Sequence, residues 1–112
     1  ATLEGGAVYL GSTGNVTFSN FLGNKATGDG VGGGAVLLYE GGNVSYSNFT
    51  NNHVSTDGGA VHFYDNGTLS YCNFYDNEAG VTGGAVYFQN NGDVRNCNFI
   101  TSTSKNEKNN SN

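Results

Sequence analysis

Apolar and polar residues alternate along this chain in short runs that recur in register. Val8 and Leu10, Val36 and Leu38, Val61 and Phe63, and Val86 and Phe88 each bracket a single residue. That period of two marks a strand with one face buried. Glycine- and asparagine-rich turns follow at Gly14-Asn15, Gly42-Asn43, Asn66-Gly67 and Asn91-Gly92. Such residues tolerate the positive φ of a tight turn. A second strand is expected to bury Val16, Val44, Leu69 and Val94, and a third to point Phe21, Phe49, Phe74 and Phe99 inward. Three short strands per repeat are predicted.

The repeat itself is explicit. Gly-Gly-Ala-Val starts at Gly5, Gly33, Gly58 and Gly83, and Asn-Phe starts at Asn20, Asn48, Asn73 and Asn98. From the first glycine to the asparagine is 15 residues in every copy, while the return is 13, then 10, then 10. One half of the unit is fixed and the other accepts insertions, here within Gly28-Asp29-Gly30-Val31-Gly32. A period near 25 residues also suits leucine-rich repeats, but leucines are few and no stretch has helical periodicity. The expected fold is all-β: a right-handed parallel β-helix of about four coils, residues 1–102. Residues 103–112 contain no apolar side chain and are expected to be a disordered tail or linker.

The residues between the second and third strands admit two readings. Unbroken alternation from Val16 buries Phe18, Tyr46 and Tyr71 and exposes Ser19, Ser47, Cys72 and Cys97. A bend after Val16 reverses this, and the bend is the reading adopted. Cys72 and Cys97 lie one coil apart, so they stack; they are either a disulfide or two small buried side chains. Asn20, Asn48, Asn73 and Asn98 are expected to form an amide ladder from coil to coil.

Composition narrows the function. Nineteen glycines, no proline and only 12% charged residues leave a net charge of −5. The four basic residues, Lys25, Arg95, Lys105 and Lys108, form no patch to neutralise phosphates, which argues against nucleic acid and anionic lipid. No apolar run approaches the ~20 residues of a membrane helix, so no direct membrane insertion is expected. The chain starts at Ala1 rather than Met, as expected of a processed or excerpted piece.

Gly-Gly-Ala-Val repeated together with Phe-x-x-Asn (Phe21 to Asn24, Phe49 to Asn52, Phe74 to Asn77) resembles the polymorphic membrane protein repeats of chlamydial autotransporters. It equally resembles adhesin-like surface proteins of methanogenic archaea. The fourth copy departs, with Ser102 in the asparagine place. The resemblance covers Gly5 to Phe99 and implies a β-helix at the cell surface with an adhesive role; it carries over no catalytic residue.

Candidate sites follow from the columns. Tyr9, Leu37, His62 and Tyr87 form the expected outward column of the first strand, flanked by Tyr39, Tyr64, Glu40 and Asp65. Aromatic rings beside carboxylates suit a glycan or a protein ligand, so the expected contact residues are Tyr9, Tyr39, Glu40, His62, Tyr64, Asp65 and Tyr87. Glu40 and Asp65, one coil apart, also raise a carboxylate-based polysaccharide-cleaving option. Lys25 and Arg95 fall outside their column and His62 lacks a partner at catalytic spacing, so no enzyme, metal or cofactor is expected. Sequons place possible glycans on Asn15, Asn43 and Asn66. The expected partners are a cell-surface glycan or protein, or copies of the chain stacked end to end through uncapped coils.

Overall fold

The computed structural model describes residues 5–29 and 32–106. The expected insertion-loop residues Gly30 and Val31, and tail residues 107–112, lie outside the described residues. The fold is a parallel β-solenoid of about four coils, with no helix among the described residues. Each coil has four strands rather than the three expected. The first sheet stacks β1 (Val8–Leu10), β5 (Val36–Leu38), β9 (Val61–Phe63) and β13 (Val86–Phe88). The second stacks β2 (Gly14–Thr17), β6 (Gly42–Ser45), β10 (Gly67–Ser70) and β14 (Gly92–Arg95). The third contains β3 (Asn20–Leu22), β7 (Asn48–Thr50), β11 (Asn73–Tyr75) and β15 (Asn98–Ile100). The fourth contains β4 (Lys25–Ala26), β8 (His53–Val54), β12 (Glu78–Thr82) and β16 (Thr103–Asn106). The β4 and β8 strands are two residues long and buried through one small side chain each, too short to leave an alternating pattern. Because β16 pairs with β12, the stacked strands run past residue 102, the boundary read from the sequence, to Asn106.

The corners explain the motifs. Between the second and third sheets, Phe18, Tyr46, Tyr71 and Asn96 all have φ near +50°. This left-handed residue is the bend anticipated after Val16. It turns Ser47 and Cys72 inward (each 1% exposed) and throws Phe18, Tyr46 and Tyr71 out (78%, 50% and 50%). Left-handed backbone costs an L residue about 1–2 kcal/mol. The rings recover part of this by stacking nearly parallel, 4.9 Å apart in both steps. The next corner, at Gly23, Asn51, Asp76 and Thr101, uses the same conformation. In Gly-Gly-Ala the first glycine again has positive φ, +101° at Gly33 and +73° at Gly58. At the second, a Cβ on Gly34 would lie 2.0 Å from the Gly59 carbonyl oxygen, so only glycine lets adjacent coils approach there.

Inside, like lies on like. Val36, Val61 and Val86 form one column, and Val16, Val44 and Leu69 another. Phe21, Phe49, Phe74 and Phe99 stack at 4.8–4.9 Å, the spacing of paired strands. Ala26, Val54 and Ala79 make a separate small cluster under the fourth sheet. Val94 of the last coil is 41% exposed, whereas Val44 and Leu69 in its column are fully buried. Phe49→Ala is expected to destabilise the chain by about 3–5 kcal/mol, since it empties the middle of the ring stack. Tyr46→Asn should change stability by less than about 1 kcal/mol, because asparagine adopts the left-handed corner more easily. Urea midpoints of the two variants check both values.

Candidate functional site

Tyrosines do gather on the first sheet. Tyr39 and Tyr64 stack at 4.5 Å and 7°, and Tyr9 meets Tyr39 edge-on at 6.4 Å. Tyr9 and Tyr39 are exposed, Tyr64 and Tyr87 half-buried, and Glu40 and Asp65 exposed just beyond them. The expectation of a wholly outward column, however, fails at its centre: Leu37 is fully buried and His62 is 1% exposed. The Gly-Gly corner folds back over this position, so closely that a Cβ on Gly58 would lie 3.1 Å from the His62 Cα. Tyr87 closes the other side, edge-on to the imidazole at 4.9 Å. His62 is therefore a packing element beneath the tyrosines and not a contact residue.

Burial dominates its electrostatics. Desolvation lowers the His62 pKa from 6.5 to about 4, against the opposing effects of Gln89, whose Oε1 is 3.2 Å from Nε2, and of Asp57. Nδ1 is buried without a well-formed hydrogen bond.

Two amide ladders run along the coils, the outer through all four and the inner through the first three. In the outer one, predicted from sequence, Asn48 Nδ2 donates to Asn20 Oδ1 (2.8 Å), Asn73 to Asn48 (2.9 Å) and Asn98 to Asn73 (2.8 Å). The inner one is built from the asparagines of Phe-x-x-Asn and was not anticipated as a ladder. Asn24 Nδ2 donates to Asn52 Oδ1 (3.1 Å), and Asn52 Nδ2 to Asn77 Oδ1 (2.9 Å) and to the Phe21 carbonyl (3.1 Å). Asn52 and Asn77 are fully buried. The signal for it was present: an asparagine three residues after an inward phenylalanine, beyond a one-residue corner, points inward again. The exposed rings of Phe18, Tyr46 and Tyr71 were likewise missed as surface features, although the adopted bend requires them to face outward.

Cys72 and Cys97 are free thiols in one column. Each points back toward its own strand, to the Ser70 and Arg95 carbonyls at 3.3 Å. The Cys72 backbone N–H donates to Cys97 Sγ at 3.4 Å, and the neighbouring Cys97 side chain raises the pKa of Cys72, with burial adding to the effect. The same contact lowers Cys97 to about 7. In the fourth sheet Lys25, His53 and Glu78 share a column, and His53 Nδ1 lies 2.9 Å from Glu78 Oε1. No group of three or more potential metal ligands occurs among the described residues.

The possible glycan acceptors Asn15 and Asn43 are exposed on the second sheet, directly stacked, and Asn66 lies on the preceding turn. With Thr13, Thr68 and Asp93 they line an open groove of about 470 Å³ that crosses all four coils. Thr68 donates its hydroxyl hydrogen to Asn43 Oδ1, and the Asn91 N–H donates to Asn66 Oδ1 at 3.1 Å.

Stacked coils with glycine corners, a phenylalanine column and paired asparagine ladders define a β-solenoid repeat. Residues 46–67 match the family model of the Chlamydia polymorphic membrane protein repeat. That segment carries Tyr46, the Asn48-Phe49 pair and Asn52, and over this stretch the chain is similar to a polymorphic-membrane-protein repeat. The family is associated with the outer membrane and the cell surface. Searches of the curated proteins and of the solved structures give no match.

Because folding lowers the His62 pKa from 6.5 to about 4, the unfolded chain binds more protons than the folded one between those values. Stability is therefore expected to fall as pH drops through that window, by roughly 3 kcal/mol, and to level off below it. Denaturant midpoints at pH 7.5 and pH 4 check this. His62→Leu, which copies Leu37 of the preceding coil, should remove that part of the slope.

Proposed function

We propose that this segment is a non-catalytic part of a surface adhesin, in which the solenoid serves as rigid stalk and as binding surface. The surface location rests on the kinship of the repeat with a surface-associated family. The observation that carries the adhesive reading is the stacked pair Tyr39 and Tyr64, with Tyr9 edge-on and Glu40 and Asp65 alongside, the pair held directly after paired strands by backbone hydrogen bonds to Leu10 and Leu38. Rings fixed in this way lose little conformational freedom on contact with a partner. Tyrosine also combines a large apolar area with a polar tip. The Tyr39→Ala/Tyr64→Ala variant should bind target cells about 30-fold more weakly, the loss of a contact worth about 2 kcal/mol. Its circular dichroism should match the parent. Undiminished cell binding by a folded double variant would refute the tyrosine face.

A second reading is supported by the exposure of Val94, together with the half-buried Phe88 and Phe99, on the last coil. Copies of the chain, as subunits of a structural fibre, would cover that surface by stacking end to end. Electron microscopy of the purified chain at high concentration should then reveal filaments of one solenoid's width. Isolated particles at every concentration would eliminate this reading.

A further inference from the structure

The tyrosine face is not the only surface suited to a ligand. The groove on the second sheet runs along the solenoid axis, from Thr13 and Asn15 in the first coil to Asp93 in the fourth. One wall is the outward column Asn15, Asn43, Thr68 and Asp93. The other is the turn containing Thr13 and Asn66. That turn starts where the tyrosine stack ends, since Asn66 follows Tyr64 by two residues. Amide and hydroxyl groups therefore recur along the groove at the coil spacing of ~4.8 Å, close to the length of one pyranose in an extended β-1,4-linked chain.

The lining has a definite hydrogen-bond character. Asn43 Oδ1 is occupied by Thr68 and Asn66 Oδ1 by the Asn91 N–H, while the Nδ2 groups of both have no protein partner among the described residues. Those amides present donors, and the Asp93 carboxylate presents an acceptor. A chain of hydroxyls and ring oxygens matches both kinds of group. An extended peptide matches neither feature it needs: the second sheet has no lateral edge along the groove to extend, and glycine, asparagine and threonine make no apolar pocket. Charge sets the subclass. Asp93 lies in the groove, Glu40 and Asp65 border it and the chain carries −5 overall, so sulfated or uronic chains are repelled. Arg95 lines a neighbouring depression that shares Thr68 and Asp93 with the groove, at the last coil.

We propose that this groove binds a neutral linear polysaccharide laid along the solenoid axis, each coil contacting about one sugar through Asn15, Asn43, Asn66, Thr68 and Asp93. The proposal rests on the reading of the segment as a binding surface and adds the class of ligand.

The test is ¹⁵N-resolved NMR titration of the whole chain with cellotetraose, with tetra-N-acetylchitotetraose and with a heparin tetrasaccharide. At least one neutral tetraose should shift the side-chain amide signals of Asn43 and Asn66 saturably, and the heparin fragment should leave them in place. Asn43→Val/Thr68→Val, which puts strand-favouring residues at both positions, should abolish the shifts while the thermal unfolding midpoint stays within a few degrees. Tyr39→Ala/Tyr64→Ala should keep them. Silence of both neutral probes, equal shifts with heparin, or unaltered binding by the folded valine variant would each overturn the groove. Cell binding that survives such a result would leave the adhesin reading standing, so the two failures are separable.

Discussion

Every feature of this chain depends on parallel, in-register pairing of each coil with the next. In this arrangement a side chain's nearest neighbours are the residues at its own position one coil before and after. Position by position, the sequence therefore chooses chemistries that tolerate their own kind. Phenylalanine on phenylalanine gains a stacked ring, and asparagine on asparagine gains a hydrogen bond through a side chain that both donates and accepts. Charge on like charge gains nothing. The low charged fraction follows from this, and in the column of Lys25, His53 and Glu78 no two side chains of one residue type are stacked.

The same constraint governs what could be read from the sequence. Constant spacing from Gly5 to Asn20 and from each later Gly-Gly to its asparagine forces columns, so architecture, coil number and core were legible at once. The bend after Val16 was legible too, because a small Ser or Cys recurs where an inward residue is required. Legibility failed where a position's surroundings come from outside its own column. His62 reads as outward by alternation, yet the glycine corner folds over it and Tyr87 caps it. The β4 and β8 strands bury a single residue each, so no periodicity can announce them. The inner asparagine ladder was hidden by a one-residue corner, which shifts the phase of alternation without any glycine or proline to mark it in Asn51 or Asp76.

Support and recognition are thus divided around the solenoid's circumference. The phenylalanine column and the buried asparagines fix the coil spacing. The tyrosine stack and the polar groove lie on neighbouring sheets, joined by one turn, where outward residues differ from coil to coil while inward ones hardly change. Outward positions bear little of the packing, so they are free to vary in ways that the Val and Phe columns are not.

The direction of the two asparagine ladders has a further consequence. In the outer ladder every amide donates toward the earlier coil, from Asn98 down to Asn20; in the inner one, Asn24 and Asn52 donate to the next asparagine, while Asn52 and Asn77 also donate back to the Phe21 and Phe49 carbonyls of the earlier coil. The inner row ends at Asn77, which turns its amide back to the Phe49 carbonyl, and Ser102 stands where a fourth asparagine would continue it. The outer amides alone thereby give the stack a chemical direction: that row of side chains reads differently from its first coil than from its last.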